Sequence, residues 1–266
     1  MSEIILNFEI FKKMKTNKLN IILVLFGVLA LVSCSKDANT TIQNGTSGSL
    51  AKMIVLNDYL YVIDNKTLST FDISNAAVPI STHKVDVGFG IETLFPFANY
   101  LFIGSSDGLY IYDISNPASP KPAAESQVSH FTACDPVVAN ANYAYVTLNS
   151  LRTNCGNTFA VNELQIVNVQ NILQPFVENI MEMKGPKGLG IDGNHLFICE
   201  ENIGVVVYDL TNPLIPNPID TLSGFVANDV IAEYGNLMIV CEDGLRQFDY
   251  SDINNISFTS YLNLND

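Results

Sequence analysis

The sequence predicts an all-β fold, a β-propeller of five four-stranded blades, on three observations. Five segments share one pattern: an apolar run, a tight turn, a second apolar run ending in an aromatic-Asp pair or its variant, then Ser/Thr-Asn-Pro or a relaxed form of it. The residues closing the second run, Asp72, Asp113, Asn168, Asp209 and Asp249, are 41, 55, 41 and 40 residues apart. The runs are rich in Val, Ile, Tyr and Phe and bounded by Asn, Asp, Gly and Pro, which reads as strands, and nothing after residue 34 keeps a helical period. A period near 40 with about four short strands per unit suggests a propeller, because each small sheet can bury its faces only against its neighbours.

Within a unit, strand a is the apolar stretch before an Asn/Gly turn. Strand b is the run Tyr59–Ile63, Tyr100–Gly104, Tyr143–Thr147, His195–Cys199 or Asn236–Val240. Strand c runs Leu68–Ser74, Leu109–Ser115, Leu164–Gln170, Val205–Thr211 or Leu245–Ser251, and strand d follows Asn-Pro. The repeated aspartate invites a metal ring, but a carboxylate or amide before Ser-Asn-Pro accepts backbone N–H bonds and shapes a turn, and that is its reading here. Closure is expected from contact between residues 51–90 and 228–266.

The Tyr-Asp-Ile-Ser-Asn-Pro unit with its Leu-Tyr-Val-Ile partner run resembles the LVIVD repeat of bacterial surface and secreted β-propellers. The match is closest over residues 100–122 and 195–218. It weakens in units one, three and five, where Asn-Pro is spread out, the Asp is Asn168, or the proline is missing. The resemblance covers nearly all of residues 51–266 and implies a fold; the family has no single activity to carry over.

Ahead of the repeats, residues 14–34 have the parts of a secretory signal: Lys15 and Lys18, an apolar run of 12 residues from Ile21 to Val32, and Ser33 before Cys34. The run is shorter than the ~18–20 residues of a spanning helix. Leu31-Val32-Ser33-Cys34 resembles a bacterial lipobox, which implies lipidation of Cys34, with Met1 or Met14 as the start. Residues 1–34 are thus expected to be a signal peptide, 35–50 a polar tether and 51–266 the propeller. Ser35 after the lipid cysteine favours the outer membrane of a Gram-negative, Bacteroidetes-like bacterium, on its periplasmic side or at the cell surface.

Removing residues 1–34 takes away four of the 13 Lys+Arg and two of the 27 Asp+Glu, leaving 9 basic and 25 acidic residues and a net charge of −16. Such a surface repels nucleic acid and anionic headgroups, so membrane contact rests on the lipid.

Propeller topology places b–c turns and d–a connections on one face, which is acidic: Asp64, Asp107, Glu200, Glu201, Glu242 and Asp243 in turns, with Glu92, Asp135 and Asp229 at the starts of strand a. Lys187 holds the position matching Asp135. The face is either a site for a cation or basic partner, or a solvated rim; no Asp-x-Asp-x-Asp-Gly calcium loop is present. Unit three carries an insertion around Asn149–Glu163 containing Arg152 and Cys155, with Cys134 at the same end of the same blade. Four cysteines beyond Cys34 allow three pairings, and the repeat favours Cys134–Cys155, a bridge contributing roughly 3 kcal/mol by chain entropy. Cys199 and Cys241 read as buried thiols.

Gly104-Ser-Ser-Asp-Gly108 matches Gly-x-Ser-x-Gly, but in a strand–strand hairpin rather than a strand–helix elbow. His83, His130 and His195 lie at separate strand ends, without zinc-ligand spacing. Gly185–Gly190 reads as the d–a turn of blade four. No cofactor or metal is expected. The leading functional reading is a non-enzymatic, lipid-anchored binding or scaffolding module for a protein or glycan, with Arg152, Asp135, Glu92 and Asp229 as candidate contacts. The alternative is an extracytoplasmic propeller hydrolase or lyase, with a cation as an optional cofactor, and its site on the acidic face or in the central channel.

Overall fold

The structure, a computed structural model, describes residues 48–106, 108–123, 136–149 and 161–264. All of them belong to one compact unit, Ile42–Asp266. Among the described residues there are five antiparallel sheets of four strands, each ordered as in the sequence. Blade one is β1 (Met53–Leu56), β2 (Tyr59–Ile63), β3 (Thr67–Asp72) and β4 (Ile80–Asp86). Blade two is β5 (Ile91–Phe97), β6 (Tyr100–Ser105), β7 (Gly108–Asp113) and β8 (Lys121–Pro122). Blade three is β9 (Val137–Ala139), β10 (Tyr143–Asn149), β11 (Asn162–Asn168) and β12 (Phe176–Glu182). Blade four is β13 (Pro186–Asp192), β14 (His195–Glu200), β15 (Gly204–Asp209) and β16 (Asn217–Leu222). Blade five is β17 (Ala227–Glu233), β18 (Asn236–Cys241), β19 (Gly244–Asp249) and β20 (Ser257–Asn263). The five-bladed propeller expected from the repeat is what forms; the Gly185–Gly190 segment, expected as a turn, supplies the start of β13, with a bulge.

The polar residues that recur in each unit make its turn. Asp72, Asp113, Asn168, Asp209 and Asp249 each accept, through Oδ1, the backbone N–H two residues on, at 2.7–3.0 Å. Asn75, Asn171, Asn212 and Asp252 repeat the same turn one step later, accepting from Ala77, Leu173, Leu214 and Asn254. The repeated aspartate is therefore a capping device that saves backbone donors where strand c ends. Hydrogen bonding to the Ser74, Ser115 and Ser251 side chains and amides holds the Asp72, Asp113 and Asp249 carboxyls below their ordinary range.

Between blades, strand b supplies one large side chain to the next blade: Tyr61, Phe102, Tyr145 and Phe197 occupy matching positions and are almost fully buried. Burying such a ring contributes about 2–3 kcal/mol. The choice of Tyr or Phe follows the next unit. Tyr61 and Tyr145 donate their hydroxyls to the Pro117 and Pro213 carbonyls. Phe102 and Phe197 precede units whose sequences carry Asn171-Ile172 and Asp252-Ile253 instead of Asn-Pro. A buried phenol needs an acceptor, so tyrosine stands where the Asn-Pro loop presents one.

Four apolar cores join blades one to two, two to three, three to four and four to five. Among the described residues no such core joins five to one, and Met53 and Val55 are 63% and 51% exposed. The connection there is made by the turn 48–51. Ser49 Oγ donates to Asp229 Oδ1 of blade five and accepts from Leu189 N of blade four. Leu50 N donates to Asp229 Oδ2, and Leu94 N of blade two donates to the Ala51 carbonyl. A turn bonded to blades two and four, which are not neighbours, lies in the middle of the ring. Closure thus differs from the expected face-to-face contact of the end units, and Ser49, which composition assigned to a polar tether, is fully buried.

Candidate functional site

The end of the ring carrying the b–c turns and d–a connections is assembled by backbone bonds between the two: Ser106 N to Gly90 O, Glu201 N to Gly185 O, and Glu242 N to Val226 O. The expected loop sorting holds at these three blades. Bulges at Ile91/Thr93, Pro186/Leu189 and Ala227/Asp229 break the register where strand a begins and place Glu92, Lys187 and Asn228 at that end. Lys187 Nζ donates to Asn228 Oδ1 at 3.1 Å.

Among the described residues, several carboxylates of the acidic rim are engaged by the fold itself. Asp64 accepts from the Lys66 and Thr67 amides and the Thr67 hydroxyl, which hold its pKa down at about 2. Asp243 is paired in a two-pronged bridge with Arg246, whose guanidinium also lies 5.0 Å from the Phe225 ring centre and 4.5 Å from that of Tyr261. Asp229, a candidate contact residue, is 8% exposed and receives Ser49 and Leu50. Glu92 is half-buried on β5. The other candidates, Cys34, Cys134, Asp135, Arg152 and Cys155, lie outside the described residues, as do Asp107 and His130. Among the described residues no three His, Cys, Asp or Glu side chains converge as a metal group would require.

Ser106, the serine of the Gly-x-Ser-x-Gly match, sits in the β6–β7 hairpin and donates to the Phe89 carbonyl. Its neighbour Ser105 is buried and both donates to Gly108 O and accepts from Gly108 N. Both hydroxyls are spent on the turn. Cys199 and Cys241 are buried thiols, as expected, and burial pushes the Cys241 thiol up.

Glu200 was legible only as a turn carboxylate, yet it is 5% exposed and accepts from Gly185 N at 2.9 Å. Burial raises its pKa above the ordinary 4.5, against the opposing pull of the Gly185 and Lys184 amides. The folded chain therefore holds this proton more tightly than the unfolded one. The contribution is full below the ordinary value and is lost as pH rises from about 4.5 through the raised one. Glu200→Gln keeps an acceptor for Gly185 and removes the charge. Urea midpoints at pH 4.5 and 7 are expected to show the variant gaining on the wild type at the higher pH. Equal differences at the two pH values contradict a buried charge.

The insertion in blade three leaves from a fixed stem. Asn149 and Asn162 face each other across β10 and β11. Their side-chain amides donate to the Pro186 and Lys184 carbonyls of the next connection, at 2.8 and 2.9 Å. Thr147 Oγ1 adds a bond to Lys187 O. The three side chains rivet the base of the insertion to blade four, a constraint that the sequence alone did not disclose.

A ring of four-stranded antiparallel blades around a plugged centre is a β-propeller. Its first two units, at residues 47–87 and 98–124, match the LVIVD repeat, so this is a propeller that carries LVIVD repeats. Solved structures agree on the fold. A functionally unknown protein from Desulfotomaculum acetoxidans aligns with TM-score 0.61 at 11% identity, over 82% of this chain and 70% of its own. A protein from Lactobacillus plantarum gives 0.57 at 14% identity, over 78% and 73%. The computationally designed Ika8 protein gives 0.55 at 9% identity over 79% of this chain, which spans only 60% of Ika8's length. No curated protein matches in sequence.

Proposed function

We propose that this propeller is a lipid-anchored, non-enzymatic binding module at the bacterial outer membrane, with its partner site at the blade-three insertion. The observation that carries the reading is the riveted stem at Asn149 and Asn162, which holds a non-repeating loop on a rigid scaffold, the arrangement in which loops carry recognition. The centre, where a propeller enzyme would seat a substrate, is filled at its described part by residues 48–51. The site comprises Arg152, Asp135 and the loop around Cys155, with Glu92 on the neighbouring rim; the partner is a protein or glycan. A Cys134–Cys155 bridge closes the loop, and thiol counting on the unfolded, non-reduced protein, Cys34 excluded, is expected to find two thiols.

Replacing residues 150–160 by Asn-Gly is expected to leave the melting temperature of the propeller within a few degrees and to abolish partner recovery in a pull-down from the native host. Recovery of the same partners without the loop overturns the placement. Substrate turnover by the purified protein, surviving loss of the loop, would favour the hydrolase or lyase reading instead.

A further inference from the structure

We infer that blade one and blade five carry the two halves of an unmade blade junction, and that a second copy of this chain completes it. At each existing junction the same positions meet. The face that blades two to five turn toward the preceding blade carries, in blade two, Leu94, Leu101, Ile103 and Tyr112, all buried. By register the corresponding residues of blade one are Met53, Leu60, Val62 and Phe71, continued by Val55. None of these five is buried, although they are as apolar as their counterparts. An apolar sheet face that the described residues leave exposed is an association surface.

The complementary half is on blade five. The position held by Tyr61, Phe102, Tyr145 and Phe197 is Met238, 44% exposed, beside the partly exposed Val240 and Leu245. By sequence, the polar residues 35–47 include one large apolar side chain, Ile42, and do not have the chemistry to cover an aliphatic sheet. Among the described residues, the side-chain bonds that tie blade five to the start of the first unit run through the 48–51 turn. What fits blade one is the outward face of a blade of this repeat, and the second copy presents one. The contact is head-to-tail, so each copy retains a free half, which either closes the assembly or extends it. Because both copies are strongly acidic and the junction is apolar, association strengthens with salt, the opposite of an ion-pair interface.

Two singly substituted full-length proteins, Val55→Cys and Met238→Cys, test this when mixed under oxidising conditions in detergent. The expected result is a disulfide-linked species of twice the mass that forms only in the mixture, and a monomer–dimer equilibrium weakened at least tenfold by Val55→Asp. Both substitutions placed on one chain and linked without a change in mass would show that the ring closes on itself and overturn the proposal. So would a protein that sediments as a monomer at every concentration and salt, or one in which Val55→Cys links only to itself.

Discussion

Replacing Gly188 by valine is expected to prevent folding of the propeller or to lower its melting temperature by at least ~10 °C, more than ~3 kcal/mol for a domain of this size. A Cβ at Gly188 points at the backbone of the next blade, 2.7 Å from Asp229 Cα and 2.8 Å from the Asn228 carbonyl oxygen, and at the Asp229 carboxylate. Backbone cannot rotate away as a side chain can, so β13 and β17 must separate. Three interactions then fail together, because Asp229 also receives Ser49 and Leu50, and Ser49 receives Leu189 N. Each buried donor left without an acceptor costs about 1–3 kcal/mol. Gly193→Ala separates space from conformation: nothing lies within 4 Å of its Cβ, but φ is +55°. It should cost only about 1 kcal/mol, from strain alone. Equal melting temperatures for Gly188→Val and Gly193→Ala would mean that blades four and five are not in close contact at this point.

The blades were legible because their physics is periodic. Strand b is buried on both faces in blades two to four, so Leu101, Phe102 and Ile103 read as one unbroken apolar run, and the Asp-Ile-Ser turn chemistry punctuates it. The central turn at residues 48–51 was not legible, for a local reason. A turn that fills the centre of a ring needs small residues and a hydroxyl to meet the unpaired donors of inner strands, and Gly48-Ser49 supplies both. A flexible tether uses the same residues, so composition cannot separate the two. Charge misled in a similar way. Asp229 and Glu92 look alike at the start of strand a, but Asp229 is 8% exposed and receives the buried Ser49 hydroxyl, whereas Glu92 is half-buried. Met53 could not be told from Leu94 by type, since exposure depends on what stands beside the blade. One signal was available in advance: Met238 and Gln247 break the pattern of Phe197 and Val207, so the outward face of blade five lacks the aromatic that blades one to four bury against the next blade.

The expected distribution of Cys34→Ala follows from membrane energetics and charge rather than from the propeller. Wild-type protein is expected in the membrane fraction and Cys34→Ala in the soluble fraction, a near-complete transfer. The diacylglyceryl group proposed for Cys34 would bury two acyl chains, three with N-acylation, whereas one chain alone gives only marginal, reversible attachment. The 9 basic residues against 25 acidic ones give anionic headgroups nothing to hold. The apolar run Ile21–Val32, at 12 residues, falls short of the bilayer core even if it is retained. A high-salt wash of the membranes separates the possibilities, because it strips electrostatic attachment and leaves lipid and spanning attachment in place. Cys34→Ala protein that stays with the membrane through that wash would show the segment spanning after all, and the lipid reading of Cys34 would fall.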